Sequence, residues 1–168
     1  MIKYVEGSLL EAPEKYICHQ CNCLTKRAAN LALSVFSKFP HADIYKPRGC
    51  CDLPKEGTPG TIIIKGDGIT ERYVINMLGQ VYPGFPRFPT SLRDGFIARR
   101  SYFQSCLDQI AQIENLESIA FPHQIGCGAA GGNWSEYQKM IENFSETVTA
   151  SVVVYKLKEP ANVEEKIQ

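Results

Sequence analysis

Apolar and polar residues follow each other along the chain with two different periods. Short runs with alternating or continuous apolar residues predict strands over residues 2–5, 16–22, 60–65, 72–78, 118–121 and 149–157. Apolar residues at three- and four-residue spacing predict helices over residues 25–39, 91–114 and 134–145, and Pro40 ends the first of them. The resulting order is strand, strand, helix, hairpin, helix, strand, helix, strand. It predicts one α/β domain with three layers and a mixed sheet.

A hairpin and an aromatic loop occupy the middle of the chain. Gly66-Asp67-Gly68 separates two apolar runs, which is a strong signal for a β-hairpin. The second run leads into residues 79–89, a loop with three prolines and several aromatic side chains. Such a loop is a candidate ligand lid. Two interpretations of its aromatic residues stay open, contact with a ligand or packing on one another, and they concern Tyr82, Phe85 and Phe88.

The second predicted strand ends in polar side chains. In α/β sheets, the carboxyl ends of strands are where ligands bind. Asn22 has both a donor and an acceptor for a ligand, but an asparagine at this position also caps turns. His19 has the pKa range of an acid or base, or of a phosphate ligand, although a buried core histidine is the alternative. His123, before the next loop, has the same two interpretations, and a structural hydrogen bond is favoured there.

The glycine-rich stretch at residues 126–132 follows the fifth predicted strand. Its glycines and alanines leave backbone N–H groups uncovered, and glycine permits the positive φ angles that turn several N–H groups toward one point. The helix predicted from Trp134 adds positive partial charge if its first turn faces the loop. Six small residues among seven exceed what a tight turn requires, and the stretch matches neither the P-loop nor the dinucleotide fingerprint. It therefore predicts a phosphate or diphosphate site of another kind.

Length and charge limit the classes of partner. The 168 residues suit one domain, predicted over residues 1–158, with a polar tail at 159–168. Lysine plus arginine and aspartate plus glutamate number 18 each, so no net field favours nucleic acid in bulk or an anionic membrane. No signal peptide or membrane span is evident, which predicts a cytoplasmic protein, or one that is nuclear as well. The oligomeric state stays open.

The seven cysteines predict reduced thiols. Their number is odd, and they lie mostly on predicted strands or in ligand loops. A zinc site of Cys18, Cys21 and Cys23 with the Cys50-Cys51 pair is the alternative, but residues 18 and 21 point to opposite faces of a strand. We therefore expect no metal and no cofactor. Cys127 lies in the glycine-rich loop without the arginine of the cysteine-phosphatase signature, so we expect it to line the site only.

Taken together, four motifs resemble those of the macro domain, a module that binds ADP-ribose. They are Val5-Glu-Gly-Ser-Leu-Leu10, His19-Gln-Cys-Asn22, the helix end Phe39-Pro40, and the stretch from Ile125 to Trp134. The resemblance covers residues 1–157 and is greatest to macro-like proteins that process ADP-ribose-1''-phosphate. It implies a three-layer α/β/α macro domain with a mixed central sheet, and ADP-ribose or its 1''-phosphate as the ligand.

The resemblance also implies a set of site residues. Asn22 would place the distal ribose and a water, and His19 would transfer a proton or stabilise phosphate. The implied substrate-binding residues are Ser8, Leu9, Thr25, Lys26, Arg27, Ala29, Asn30, Leu31, Gln80, Tyr82, Ile125, Gly126, Cys127, Gly128, Ala129, Ala130 and Gly131.

Several residues depart from the family pattern. Ser8 stands where many macro domains have an aspartate for adenine, and the first phosphate loop has Arg27-Ala-Ala-Asn-Leu31 in place of three glycines. Within that loop Asn30 is the residue that best tolerates a left-handed conformation. Gln80 and Ala129-Ala130 stand where glycohydrolases acting on protein acids often have a lysine and an aspartate.

The resemblance leaves three functions to compare. Hydrolysis of ADP-ribose-1''-phosphate to ADP-ribose and phosphate is the one we favour. A reader that binds ADP-ribose without turnover and a hydrolase that removes ADP-ribose from a macromolecule are the alternatives.

Overall fold

The computed structural model describes residues 1–49 and 56–159, and in these residues the chain forms six strands and three α-helices. The elements are β1 (Ile2–Glu6), β2 (Tyr16–Asn22), α1 (Asn30–Lys38), β3 (Ile62–Lys65), β4 (Tyr73–Gln80), α2 (Phe96–Ala111), β5 (Ser118–Pro122), α3 (Trp134–Thr147) and β6 (Ser151–Lys156). The Cys50-Cys51 pair of the alternative zinc site lies outside the described residues. The predicted tail does so too from residue 160 onward.

The six strands form one mixed sheet in the order β1-β6-β5-β2-β4-β3. All neighbouring strands are parallel except β3 and β4, which form the predicted antiparallel hairpin. One face packs on α2 and α3 through residues such as Phe103 and Ile141, and the other packs on α1 through Val35 and Phe36. The prediction of a three-layer α/β/α domain with a mixed sheet is confirmed. Cys18 belongs to the first of these cores and Cys21 to the second, so the two thiols lie on opposite faces.

Two helices begin later than predicted, because side chains bind the backbone ahead of them. Asn22 Oδ1 accepts hydrogen bonds from the N–H groups of Leu24 (3.0 Å) and Thr25 (2.9 Å), so the chain turns here and α1 begins only at Asn30. Ser91 Oγ accepts from the N–H groups at positions 93 and 94 in the same way, and α2 begins at Phe96. The segment 25–29 is therefore a loop.

A crevice opens at the carboxyl edge of the sheet between β2 and β5. The two strands pair only at Tyr16–Ile119 and Ile17–Ala120, although both continue beyond these positions. The loop after β2 leads to α1 on one face, and the loop after β5 leads to α3 on the other. The register between β2 and β4 shifts after Cys21, because Gly79 of β4 has no partner there, so that Asn22 lies opposite Gln80. Adjacent strands whose connections leave to opposite faces form the crevice in which α/β proteins bind ligands.

Candidate functional site

A cavity of about 500 Å³ occupies this crevice. It is bordered by the loops that follow β2, β4 and β5 and by the first turn of α1. Its lining residues are Gln20, Asn22, Thr25, Arg27, Ala29, Asn30, Leu31, Ala32, Tyr45, Gln80, Pro83, Gly84, Pro122, His123, Gln124, Ile125, Gly126, Cys127, Gly128, Ala129 and Ala130. The structure thus brings together 12 of the 17 residues predicted to bind substrate, and with them Asn22.

The glycine-rich loop presents unpaired backbone N–H groups to the cavity. The N–H groups of Cys127, Gly131 and Gly132 bond to carbonyls within the loop at 2.9 to 3.1 Å. Within the described part of the chain, no hydrogen bond from the backbone N–H groups of residues 126, 128, 129 and 130 is found. Gly126 and Gly131 have φ angles of 72° and 76°, which curve the loop. N–H groups that face one concave surface suit an anion.

Three of the four loop glycines are required by close packing. A Cβ atom on Gly126 would lie 2.7 Å from the Tyr137 ring, and one on Gly132 would lie 2.5 Å from the Gly126 carbonyl oxygen. One on Gly131 would overlap the ring of Phe85. Gly128 differs, because a Cβ atom there would have no neighbour within 4 Å. Gly128 therefore borders the open cavity.

The helix end at the cavity belongs to α1. Its N-cap residue, Ala29, provides no side-chain hydrogen bond, and Ala29 to Ala32 line the cavity. The first N–H groups of a helix have no partner inside the helix and carry positive partial charge. Asn30 has φ = 53°, which confirms the predicted left-handed conformation. No residue of α3 is part of the lining, so the helix that completes the site is α1 and not the one that follows the loop.

Asn22 both lines the cavity and organises the first loop. Besides the two N–H groups that its Oδ1 accepts, its Nδ2 donates to Thr25 Oγ1 at 3.0 Å, which leaves one amide hydrogen for a ligand. Its backbone N–H donates to the hydroxyl of Tyr45 at 2.8 Å. The buried guanidinium of Arg48 donates to the carbonyls of Asn22 (2.9 Å) and Thr25 (3.0 Å) and stacks on Tyr45. The loop is therefore fixed through the side chain of Asn22 and through the backbone of Asn22 and Thr25.

His19 lies in the core and not in the cavity. It is 1% exposed, its Nε2 is 2.7 Å from Asn76 Oδ1, and its ring packs edge-on against Phe36. Burial lowers its pKa to about 4, so the imidazole is neutral at pH 7. His19 contacts the α1 side of the sheet, whereas Gln20, the next residue, faces the cavity. The catalytic role predicted for His19 has no contact with the cavity to support it.

Five of the residues predicted to bind substrate lie outside the lining: Ser8, Leu9, Lys26, Tyr82 and Gly131. Ser8 Oγ accepts a hydrogen bond from the N–H of residue 10, and Leu9 is buried. The hydroxyl of Tyr82 accepts a hydrogen bond from Arg93, whose guanidinium lies 5.4 Å from the Tyr82 ring.

The lining residues Gln20 and Tyr45 are not among those predicted from the sequence to bind the ligand. Gln20 Nε2 donates to Gln80 Oε1 at 2.7 Å, and Gln80 Nε2 donates to the Tyr82 carbonyl at 2.8 Å. These hydrogen bonds fix the two glutamine side chains that line the cavity between β2 and β4. The position of Gln20, two residues before Asn22 on a strand, was the available signal. Tyr45 gave no such signal, since it belongs to an irregular segment.

The charges at the cavity favour an anionic ligand. Among the described lining residues none has a carboxylate, and Arg27 supplies a cation. Burial, with a smaller effect of Glu136, raises the pKa of Cys127 to about 12, which keeps the thiol protonated. Burial and then Lys156 lower the pKa of His123, the only histidine in the lining. Its ring packs against Trp134.

In residues 1–49 and 56–159, no group of three or more histidine, cysteine, aspartate or glutamate residues is arranged to hold a metal ion. None of the helices there combines the length and the apolar character that crossing a membrane requires.

Comparison with known proteins identifies the fold. No family model and no curated protein matches the sequence. The macrodomain of Thermus aquaticus DarG is 26% identical, with a TM-score of 0.65 over 95% of this chain and 99% of that one. The macrodomain of Mycobacterium tuberculosis DarG is 24% identical, with a TM-score of 0.67 over 92% and 97%. Thermosipho africanus DarTG in complex with ADP-ribose is 14% identical, with a TM-score of 0.66 over 92% of this chain and 41% of that one. Together with the sheet order and the two loops, these likenesses support the macro domain family, and the chain has the macrodomain fold.

Proposed function

We propose that this protein binds ADP-ribose in the cavity and hydrolyses ADP-ribose-1''-phosphate to ADP-ribose and phosphate. One observation supports the binding of ADP-ribose most directly. Among the described residues, the unpaired N–H groups of residues 126, 128, 129 and 130 and the uncapped N-terminus of α1 border the same cavity, which has no carboxylate in its described lining. A diphosphate between two riboses supplies negative charge to both groups of donors. The likeness to a DarTG structure that holds ADP-ribose supports the same ligand.

The proposed reaction requires no side chain that accepts or donates a proton. A water oxygen bonds to phosphorus, the bond from phosphorus to the ribose oxygen breaks, and the water's proton reaches the leaving oxygen through the phosphate. The transition state of such a transfer spreads negative charge over the phosphoryl oxygens, and donors fixed in advance stabilise it. Asn22 would donate its remaining amide hydrogen to the distal ribose or to the water. The neutral, buried imidazole of His19 has no step here.

Removal of ADP-ribose from a macromolecule is the second candidate. The cavity has exposed aromatic side chains near it, because Phe85 and Phe88 follow the lining residue Gly84 and remain largely exposed. A bulky attached group has room on that side. Release of labelled ADP-ribose from a modified macromolecule, with no phosphate released from ADP-ribose-1''-phosphate, would favour this candidate.

The decisive experiment uses Asn22→Asp. A carboxylate at position 22 can still accept from the N–H groups of Leu24 and Thr25, so the loop keeps its shape. It also puts a negative charge in the cavity, next to the ligand's phosphates. We expect calorimetry to show ADP-ribose binding by the wild type, and the variant to lose both this binding and the release of phosphate.

Asn133→Asp is the matched control. It makes the same change of amide to acid at the N-cap of α3, where the Asn133 side chain makes no capping bond and lies outside the lining. An acid at a helix N-terminus is favourable, so the control should fold and bind normally. Equal rates of phosphate release from the wild type and Asn22→Asp would refute the proposed site, and wild-type binding without turnover would leave the reader function.

A further inference from the structure

A buried ion pair lies behind the cavity and joins Asp94, two residues before α2, to Arg99 in the first turn of that helix. Arg99 is 2% exposed and Asp94 is 5% exposed. Arg99 Nη2 lies 2.7 Å from Asp94 Oδ2, and Arg99 Nε lies 3.1 Å from Asp94 Oδ1. This is the bidentate geometry that makes arginine–carboxylate pairs strong and directional. Neither side chain is part of the cavity lining.

The ion pair binds the segment after β4 along its backbone. Asp94 accepts hydrogen bonds from the N–H groups of Val81 (2.7 Å) and Tyr82 (3.2 Å). Arg99 donates to the carbonyls of Tyr82 (3.2 Å) and Gly84 (2.6 Å). One pair of side chains therefore binds backbone donors at residues 81 and 82 and backbone acceptors at residues 82 and 84.

Arg99 also reaches the glycine-rich loop on the other side of the cavity. The Nη1 atom that donates to Gly84 also donates to the carbonyl of Ala130 at 3.3 Å. Gly84 and Ala130 both line the cavity, and they come from different loops. One planar guanidinium thus determines how far apart these two carbonyls lie, because its donors have a fixed arrangement.

We propose that Arg99 is a positioning residue that sets the spacing of the two cavity walls at Gly84 and Ala130. It acts through backbone carbonyls and does not touch the ligand. The inference rests on the proposed binding of ADP-ribose and names the part of the cavity that Arg99 controls. This part lies on the β4 side, since Gly84 follows β4. Asn22, which the proposed function assigns to the distal ribose, lies opposite Gln80 at the end of β4, so the distal ribose falls near Gly84 and Ala130.

This position predicts a ligand-dependent effect. AMP has no distal ribose, whereas the distal ribose of ADP-ribose lies between Gly84 and Ala130, whose separation Arg99 sets. Arg99→Lys keeps a positive charge for Asp94 but removes the Nη1 atom that donates to the two carbonyls. We expect calorimetry to show ADP-ribose binding about tenfold weaker and AMP binding unchanged within about twofold. A purely structural role would weaken both ligands together, and that result, or no change in either, would overturn the proposal.

Arg100→Gln is the control on the same helix. It removes an exposed ion pair with Glu136 (2.6 Å) next to the buried one, and Arg100 is not part of the lining. We expect it to bind both ligands like the wild type. Should it show the same selective loss of ADP-ribose, the effect would belong to α2 in general and the assignment to Arg99 would be wrong.

Gly84→Ala tests the same spacing if Arg99→Lys does not fold. Gly84 has φ = 72°, which alanine disfavours, and a Cβ atom there would have no neighbour within 4 Å. The variant therefore moves the Gly84 carbonyl while Arg99 and Asp94 stay. We expect the same selective loss of ADP-ribose, and equal losses for the two ligands would contradict the proposal.

Amide hydrogen exchange without ligand separates this inference from the proposed function. In Arg99→Lys we expect faster exchange in residues 81–84 and also in residues 126–131. Faster exchange in residues 81–84 alone would overturn the link between the walls, even if the wild type binds neither ligand. If the wild type binds neither ligand while Arg99→Lys shows both exchange effects, the proposed function is refuted and the link between the walls stands.

Discussion

Gly128→Val is the substitution that most directly tests the anion site. Gly128 is the loop glycine whose Cβ position is open, and its φ is not in the left-handed region. The Cβ atom of a valine there would lie more than 4 Å from every described atom outside its chain neighbours, so the side chain has room to project into the cavity. The other three loop glycines do not offer this separation, because a side chain on any of them meets packed atoms. Folding and binding should therefore respond differently to this one change.

The magnitude follows from the unpaired N–H groups around Gly128. A hydrogen bond to a charged group contributes about 1.5–3 kcal/mol. Valine methyl groups in front of the N–H groups of residues 128–130 would prevent at least two such bonds with a phosphate. Two bonds at the lower limit amount to about 3 kcal/mol, which is about a 100-fold weaker affinity. The free energy of unfolding should change by no more than about 1 kcal/mol, as for an exposed site without strain.

Calorimetric titration with ADP-ribose and urea unfolding measure the two effects side by side. Gly49→Val is the matched control, because Gly49 is exposed, has no described atom within 4 Å of its Cβ position and lies outside the cavity lining. The control should keep both affinity and stability. If Gly128→Val folds and still binds ADP-ribose within about threefold of the wild type, the N–H groups of this loop do not bind the diphosphate and the reasoning fails.

Three further substitutions test other parts of the structure. The pKa of His19 is about 4 in the folded state and 6.5 in the unfolded chain, so the unfolded chain binds the proton first as the pH falls. The free energy of unfolding should therefore fall by about 3 kcal/mol between pH 6.5 and pH 4. Urea unfolding at both pH values should show this loss in the wild type and not in His19→Gln. Tyr45→Phe removes the acceptor of the Asn22 N–H and should lower the free energy of unfolding by about 1–3 kcal/mol, and an unchanged urea midpoint would contradict the bond. Gly131→Ala forces alanine to φ = 76° and displaces the Phe85 ring, so it should cost at least about 1 kcal/mol by the same assay, in contrast to Gly128→Ala.

Most of the fold and one side of the site could be predicted from the sequence, because both depend on local patterns. The bounds of β2 agree with the predicted strand residue for residue, and the left-handed conformation of Asn30 follows from the tolerance of asparagine for that region. The glycine-rich loop borders the cavity as its composition indicates. Periodicity and turn chemistry act over a few residues, so a single sequence contains them.

The rest depends on contacts between distant residues. His19 and Asn22 are three positions apart on β2, so they face opposite sides of the sheet, but which side holds the cavity depends on where the helices pack. Tyr45 comes from an irregular segment after α1, and Arg99 reaches the cavity walls only through carbonyls. Neither residue has a spacing or motif in the sequence that indicates these partners. The roles of such residues can be identified only from the three-dimensional structure.

The pairing of β1 with β6 affects the order in which the protein acquires its site during synthesis. Residues 2–6 lie beside residues 152–156, and β6 in turn supports β5, which leads into the glycine-rich loop. Contacts across so many intervening residues form late, because closing a long loop costs chain entropy before any contact compensates. The half of the sheet with β2, β4 and β3 can assemble while the ribosome is still adding residues. The half that supports the glycine-rich loop must wait until β6 has left the exit tunnel, so under the proposed function a nascent chain binds no ADP-ribose before that point.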